Sequence, residues 1–109
     1  MINTQKNAWI HLVIMIIVVM LGIWLRLSLI DWSVLTLAIG IVWLAEFINT
    51  SIEAIVDLIS PQRHPLAKVS KDVGAAAVLI TALTAVIVGM LVLGPPLWVR
   101  IRALLFVHQ

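Results

Sequence analysis

Residues 34–57 read VLTLAIGIVWLAEFINTSIEAIVD. The first half, Val34 to Ala45, is apolar; from Glu46 onward polar residues recur at helical period. Glu46, Asn49, Glu53 and Asp57 follow one another at steps of three, four and four. At ~100° per residue they fall within roughly 80° of one helix face. A single helix therefore crosses a membrane and then emerges from it, carrying its acids toward one surface. Carboxylates stacked on one face beside a bilayer are costly to keep there, and they mark a functional site by default.

Outward from this stretch the chain divides into two further apolar runs. Toward the amino terminus, Asp31-Trp32-Ser33 offers a short turn with an N-cap, and before it Trp9 to Leu25 contains one polar side chain, His11, and stops at Arg26. Toward the carboxyl terminus, Ser60-Pro61-Gln62-Arg63-His64-Pro65 breaks the helix, because proline is not tolerated in a helix interior. Leu66 to Asp72 restarts a helix, and Val73 to Leu93 forms a third apolar run that stops at Gly94-Pro95-Pro96. The expected architecture is all-α and a single membrane-embedded domain over residues 1–109. Its spans lie at about 9–29, 33–59 and 70–94, with a loop at 60–66 and a tail at 95–109.

Composition agrees and excludes much else. Of 109 residues, 63% are hydrophobic and 11% charged, and the mean hydropathy is +1.19. Three spans of ~20 residues leave no room for a soluble catalytic domain, so any activity uses the helices and their loops. With no cysteine there are no disulfides, thiolate metal sites or cysteine nucleophile. A net charge of +2, scattered along the chain, gives no nucleic-acid footprint. Met1 to Lys6 ahead of an apolar run resembles a signal peptide, yet Leu21-Gly22-Ile23-Trp24 has no small-residue cleavage site, so the segment is read as a retained anchor. Trp9, Trp24, Trp32 and Trp98 fall near helix ends, where aromatic belts form. Lys6, Arg63, Lys68 and Lys71 belong to one side of the membrane and Arg26, Arg100 and Arg102 to the other, which favours a cytoplasmic central loop. Gly74-Ala75-Ala76-Ala77 and the Ala85/Gly89 pair mark the third span as a helix-packing element.

A stack of carboxylates beside an amide and two lysines, Lys68 and Lys71, is an inventory for handling a magnesium nucleotide: magnesium takes oxygen ligands, lysine neutralises phosphate, and a carboxylate can deprotonate a hydroxyl. The plainer alternative pairs the same acids with Lys68, Lys71 and Arg63 as a solvated helix cap at the membrane surface. No glycine-rich phosphate loop is present. His11 and His64 read as interfacial or surface residues, and Ser70 has no base partner.

The run from Glu46 to Asp57, continuing through His64-Pro65-Leu66-Ala67-Lys68 to Lys71-Asp72, resembles the signature of the prokaryotic diacylglycerol kinase family, E-x-x-N-T/S-x-I-E-x-x-x-D followed by H-x-L-x-x-x-x-K-D. Asn49-Thr50 and His64 to Lys68 look most like its undecaprenol kinase branch. The resemblance implies a homotrimeric kinase of the bacterial inner membrane with an active site on the cytoplasmic side, moving the γ-phosphoryl of MgATP to the hydroxyl of undecaprenol or diacylglycerol. It makes Glu46 the general base, Glu53 a magnesium ligand and Asn49 a polar contact in the site. Lys71 becomes the contact to ATP phosphates, with Asp57 and Asp72 as further nucleotide-site residues. The sequence departs from the family pattern in two ways: the chain begins almost at the first span, without the usual amphipathic surface helix, and Gln5 stands where an acid is expected. The rivals are a non-catalytic membrane scaffold or subunit and a small oligomeric ion conductor whose pore is lined by the acids.

Overall fold

The computed structural model describes residues 2–107, and side chains over 8–106; Gln5 and Lys6 thus lie outside the described side chains. Three helices follow one another: α1 (Ile2–Leu25), α2 (Leu29–Ile59) and α3 (Pro65–Val107). There is no strand among the described residues. All three helices are long and apolar enough to cross a membrane, as the composition requires. The two connections have three and five residues, which makes sequential helices antiparallel neighbours.

The molecule is a rod of 66 × 25 × 18 Å whose long axis matches α3, 43 residues at ~1.5 Å each. α2 and α3 form the main pair, with α1 laid against one end. The core sits at that end, where Leu25, Leu35 and Leu93 meet with Val18, Leu21 and Leu97 around them. Elsewhere large apolar side chains face outward, for example Met20, Leu37 and Leu91. Such a surface is stable only against lipid or another helix.

Three boundaries differ from expectation, each for a local reason. The first span ends at Leu25 rather than near residue 29 because Arg26 adopts a left-handed conformation, φ 55°. Arg26 N–H donates to Ile23 O at 3.2 Å and Leu27 N–H to Gly22 O at 3.3 Å, the paired bonds of a Schellman cap. α2 then starts at Leu29, not 33: Ser28 is the N-cap, its Oγ accepting from Asp31 N–H at 3.1 Å. Ser33 lies inside the helix instead, and its hydroxyl donates to Leu29 O at 2.8 Å. α3 starts at Pro65, one residue before the restart expected at Leu66, because proline fits the first helical position and His64 Nδ1 accepts from Leu66 N–H at 3.1 Å.

The largest difference is at Pro95 and Pro96, which lie inside α3 instead of ending it, so residues expected as a tail continue the helix. Two prolines remove two donors. Unravelling the segment in an apolar layer would expose many more backbone groups, so the helix continues through them. This continuation has a purpose in the packing: Arg100 Nη2 donates to Trp24 O at 3.0 Å, and its guanidinium lies 5.1 Å from the Trp24 ring centroid. Arg100 thus satisfies one of the open carbonyls at the end of α1.

The side chain of Arg26 is exposed and makes no hydrogen bond or ion pair among the described residues. A non-glycine residue in the left-handed region costs ~1 to 2 kcal/mol. Arg26→Gly is therefore expected to raise the unfolding temperature in detergent by the equivalent of roughly 1 kcal/mol. An unchanged or lower temperature would show that the guanidinium contributes more than the strain removes.

Candidate functional site

The polar face of α2 begins at Glu46, where α1 still reaches it, and runs away from the core toward the connection to α3, changing character along its length. Counting from Leu29, twenty residues at ~1.5 Å carry α2 across roughly 30 Å of hydrocarbon, as far as Asn49. Glu46 lies one turn inside that boundary, Glu53 one turn outside, and Asp57 at the water end.

Glu46 is the one buried charged residue among the described side chains, 9% exposed. Its Oε1 lies 2.9 Å from Nε2 of His11, which reaches it from α1. Against an ionised carboxylate, which only accepts, Nε2 is the donor. The His11 ring stands edge-on to Trp43 with centroids 6.1 Å apart, and Trp43 in turn packs on Phe47.

One turn further, Asn49 Nδ2 donates to Glu53 Oε1 at 3.2 Å. The other end of that amide, Asn49 Oδ1, is buried without a hydrogen-bond partner. It is pressed against Gly74 of α3 so closely that a Cβ there would overlap it and stand 3.3 Å from Asn49 Cγ. Gly74 is therefore what lets α3 approach Asn49.

At the water end, Lys71 of α3 pairs with Asp57 of α2 at 2.5 Å, and Lys68 pairs with Asp72 one turn along α3 at 2.8 Å. Both pairs are solvated, and exposed pairs contribute ~0 to 1 kcal/mol. A cleft of about 470 Å³ opens beside them between the ends of α2 and α3, lined by Asp57, Arg63, His64, Lys68 and Lys71. Three cations, Arg63, Lys68 and Lys71, line it against one acid, Asp57, a balance that suits phosphate.

The two readings of the acids thus divide between the turns. Asp57 and Asp72 take lysine partners, as a surface cap would. Glu46 and Glu53 take a histidine and an amide instead, and among the described residues neither has a lysine or arginine within ion-pair distance. Asp57 and Lys71 come together as expected, whereas Asp72 turns outward to Lys68. Glu46 and Glu53 are separated by seven residues, ~10 Å along the helix, so they cannot share one metal ion and must have different tasks.

Among the described residues no three His, Asp or Glu side chains converge on a metal-sized point. The donor set nonetheless fits magnesium held largely by a nucleotide: Glu53 supplies a carboxylate, a hard oxygen donor, and Asn49 orients it through Nδ2 while its Oδ1 is closed off against Gly74.

Comparison with known proteins shows the family. The family profile described as "Prokaryotic diacylglycerol kinase" matches residues 1–93, which carry all of the site. The chain belongs to the prokaryotic diacylglycerol kinase family. Its similarity to an undecaprenol kinase of Bacillus subtilis is 39% identity over 95 residues, 87% of this chain and 77% of that protein. A diacylglycerol kinase of Synechocystis is 42% identical over 86% of this chain and 54% of its own length. The diacylglycerol kinase of Escherichia coli K12 is 37% identical over 69% of this chain and 62% of its own length. The family is one of lipid kinases embedded in the membrane, and this chain is one of them.

Three residues of the candidate site are given no part in its chemistry by sequence reading. Arg63 carries no motif. Gly74 reads as generic helix packing, and only its register opposite Asn49 distinguishes it. His11 is 35 residues from its partner, but depth was a usable signal: it lies 14 residues before the end of α1, and Glu46 lies 17 residues after the start of α2.

Proposed function

We propose that this kinase moves the γ-phosphoryl group of MgATP to the hydroxyl of a lipid at the membrane surface, with Glu46 as the general base. The observation that carries this reading is the depth ordering on α2: a carboxylate just inside the hydrocarbon, and cations on the water side two to three turns above it. A lipid hydroxyl at the interface meets the first, and a nucleotide in water meets the second.

In the reaction the lipid oxygen attacks the γ-phosphorus, a new O–P bond forms, and the bond to the β–γ bridging oxygen breaks as ADP leaves. The hydroxyl proton passes to Glu46. Lys71, released from Asp57 as phosphate enters the cleft, neutralises charge on the group in transit, with Arg63 and Lys68 steering the polyanion. Glu53 would hold magnesium together with the nucleotide phosphates, and the ion would supply Lewis-acid stabilisation of the charge on the phosphoryl group. Asn49 keeps the Glu53 carboxylate in place. Asp57 and Asp72 hold the lysines.

Undecaprenol and diacylglycerol are the substrates proposed, with the polyprenol preferred on the Asn49-Thr50 and His64 to Lys68 runs and the similarity to the Bacillus subtilis enzyme. An apolar groove of about 460 Å³ supports a chain-like substrate, since it begins at His11 and Trp43 and continues past Val42 to Leu93 and Leu97. The outward apolar faces of α2 and α3 fit assembly into a homotrimer. The active site is assigned to the cytoplasmic side of the bacterial inner membrane, where Lys6, Arg63, Lys68 and Lys71 favour that face.

Glu53→Gln is expected to raise the magnesium concentration for half-maximal rate by roughly tenfold, because a neutral amide is the poorer ligand. A magnesium titration of lipid phosphorylation measures it. An unchanged midpoint would remove Glu53 from the metal site.

A further inference from the structure

We propose that His11 is a positioning residue for the reaction: by donating from Nε2 to Oε1 of Glu46 it fixes the carboxylate so that the second oxygen faces the lipid hydroxyl. The proposal rests on Glu46 being the base. It begins from an energetic problem. A carboxylate one turn inside the hydrocarbon has lone pairs that neither water nor lipid satisfies, and an unmet polar group there costs several kcal/mol. α2 itself supplies no donor to it: the residues one turn before Glu46 are Val42 and Trp43, and Asn49, one turn after, donates to Glu53 instead.

The donor comes from α1, whose only polar side chain between Trp9 and Leu25 is His11. It reaches Glu46 at 2.9 Å, with side-chain exposures of 20% and 12% for the two partners. The imidazole is not free to turn away, because Trp43 stands against its edge. Among the described residues no other charged or titratable side chain lines the groove beside the pair: the α3 residues there are alanine, valine, glycine, methionine and leucine.

This geometry gives the carboxylate one occupied and one open oxygen. Without the donor, Glu46 would rotate about its side-chain torsions among several rotamers, and only some of them reach the hydroxyl. A base that is present but unaimed loses rate more than affinity. The lipid's apolar contacts, which set binding, are untouched.

The experiment compares His11→Leu and His11→Gln with the parent enzyme in lipid phosphorylation, with the melting temperature of each recorded in detergent. His11→Leu is expected to lower kcat roughly tenfold to hundredfold while the lipid KM stays within about twofold. His11→Gln keeps an N–H donor and is expected to recover most of the loss. Either a leucine variant within threefold of the parent kcat, or a glutamine variant no better than leucine, overturns the proposal. A second arm needs no activity: in protein with ¹⁵N-labelled histidine, Glu46→Gln should move the ring signals that His11→Leu deletes and leave the others in place. If those signals do not move, the contact is absent and the proposal falls. If they move but the parent phosphorylates no lipid, the kinase reading itself has failed and the catalytic role goes with it.

Discussion

Glu46→Ala is expected to lower kcat for lipid phosphorylation by roughly a hundredfold to ten-thousandfold, the usual contribution of a positioned general base. The fold should survive this change. Glu46 is buried at the edge of the apolar layer, where a carboxylate destabilises more than it helps, so its removal relieves a desolvation cost and leaves only the His11 imidazole to find a new partner. A melting temperature equal to or above that of the parent, with phosphorylation gone, is the combined result. Retained turnover would remove Glu46 from the chemistry, and a lost fold would make it a structural residue.

The second large effect is expected at Gly74, which touches no substrate. A methyl group there overlaps Asn49 Oδ1, and backbone on one side and the α2 helix on the other leave the amide as the part that must move. Once it moves, Glu53 loses the Nδ2 donor that orients it. Displacement of a positioning group by ~1 Å can lower a rate by about a hundredfold, and overpacking costs ~1 to 3 kcal/mol. Gly74→Ala should therefore reduce kcat by up to about two orders of magnitude and raise the magnesium requirement. Combining it with Asn49→Ala should restore the melting temperature without restoring activity, because space returns but the amide does not. Full activity in Gly74→Ala would show that the Asn49 contact is not needed.

How much of this was legible in the sequence follows from the range of the forces involved. The spans and the acid face of α2 are properties of single helices, and the apolar runs together with the three-four-four spacing state them directly. The ends of the helices were less legible because several local signals compete there. Ser28 and Ser33 both satisfy the rule for an N-cap, and the choice falls to Ser28 because Arg26 accepts a strained turn just before it. Pro95 and Pro96 follow a rule made for water, where a broken helix is solvated. In an apolar layer the same residues are carried along by the helix.

The residues that gather at the candidate site were legible, and their pairing was not. Glu46, Asn49, Glu53, Asp57 and Lys71 could be named from one motif, since the motif lies on one helix and the turn that follows it. Their partners come from α1 and α3 across distances in sequence that no spacing encodes. His11 and Gly74 became meaningful only when the helices were placed side by side. Asp72 shows the reverse: the motif groups it with Lys71, but one turn of α3 puts it on the outer face beside Lys68.

The most direct test of the account is transfer of labelled γ-phosphate from MgATP by the purified protein in mixed micelles, with undecaprenol and diacylglycerol offered side by side and Glu46→Ala as the control. The account predicts labelled lipid with the parent protein, more on the polyprenol, and none above background with the variant. Folded parent protein that labels neither lipid, or a Glu46→Ala variant that labels them as well as the parent, would contradict it.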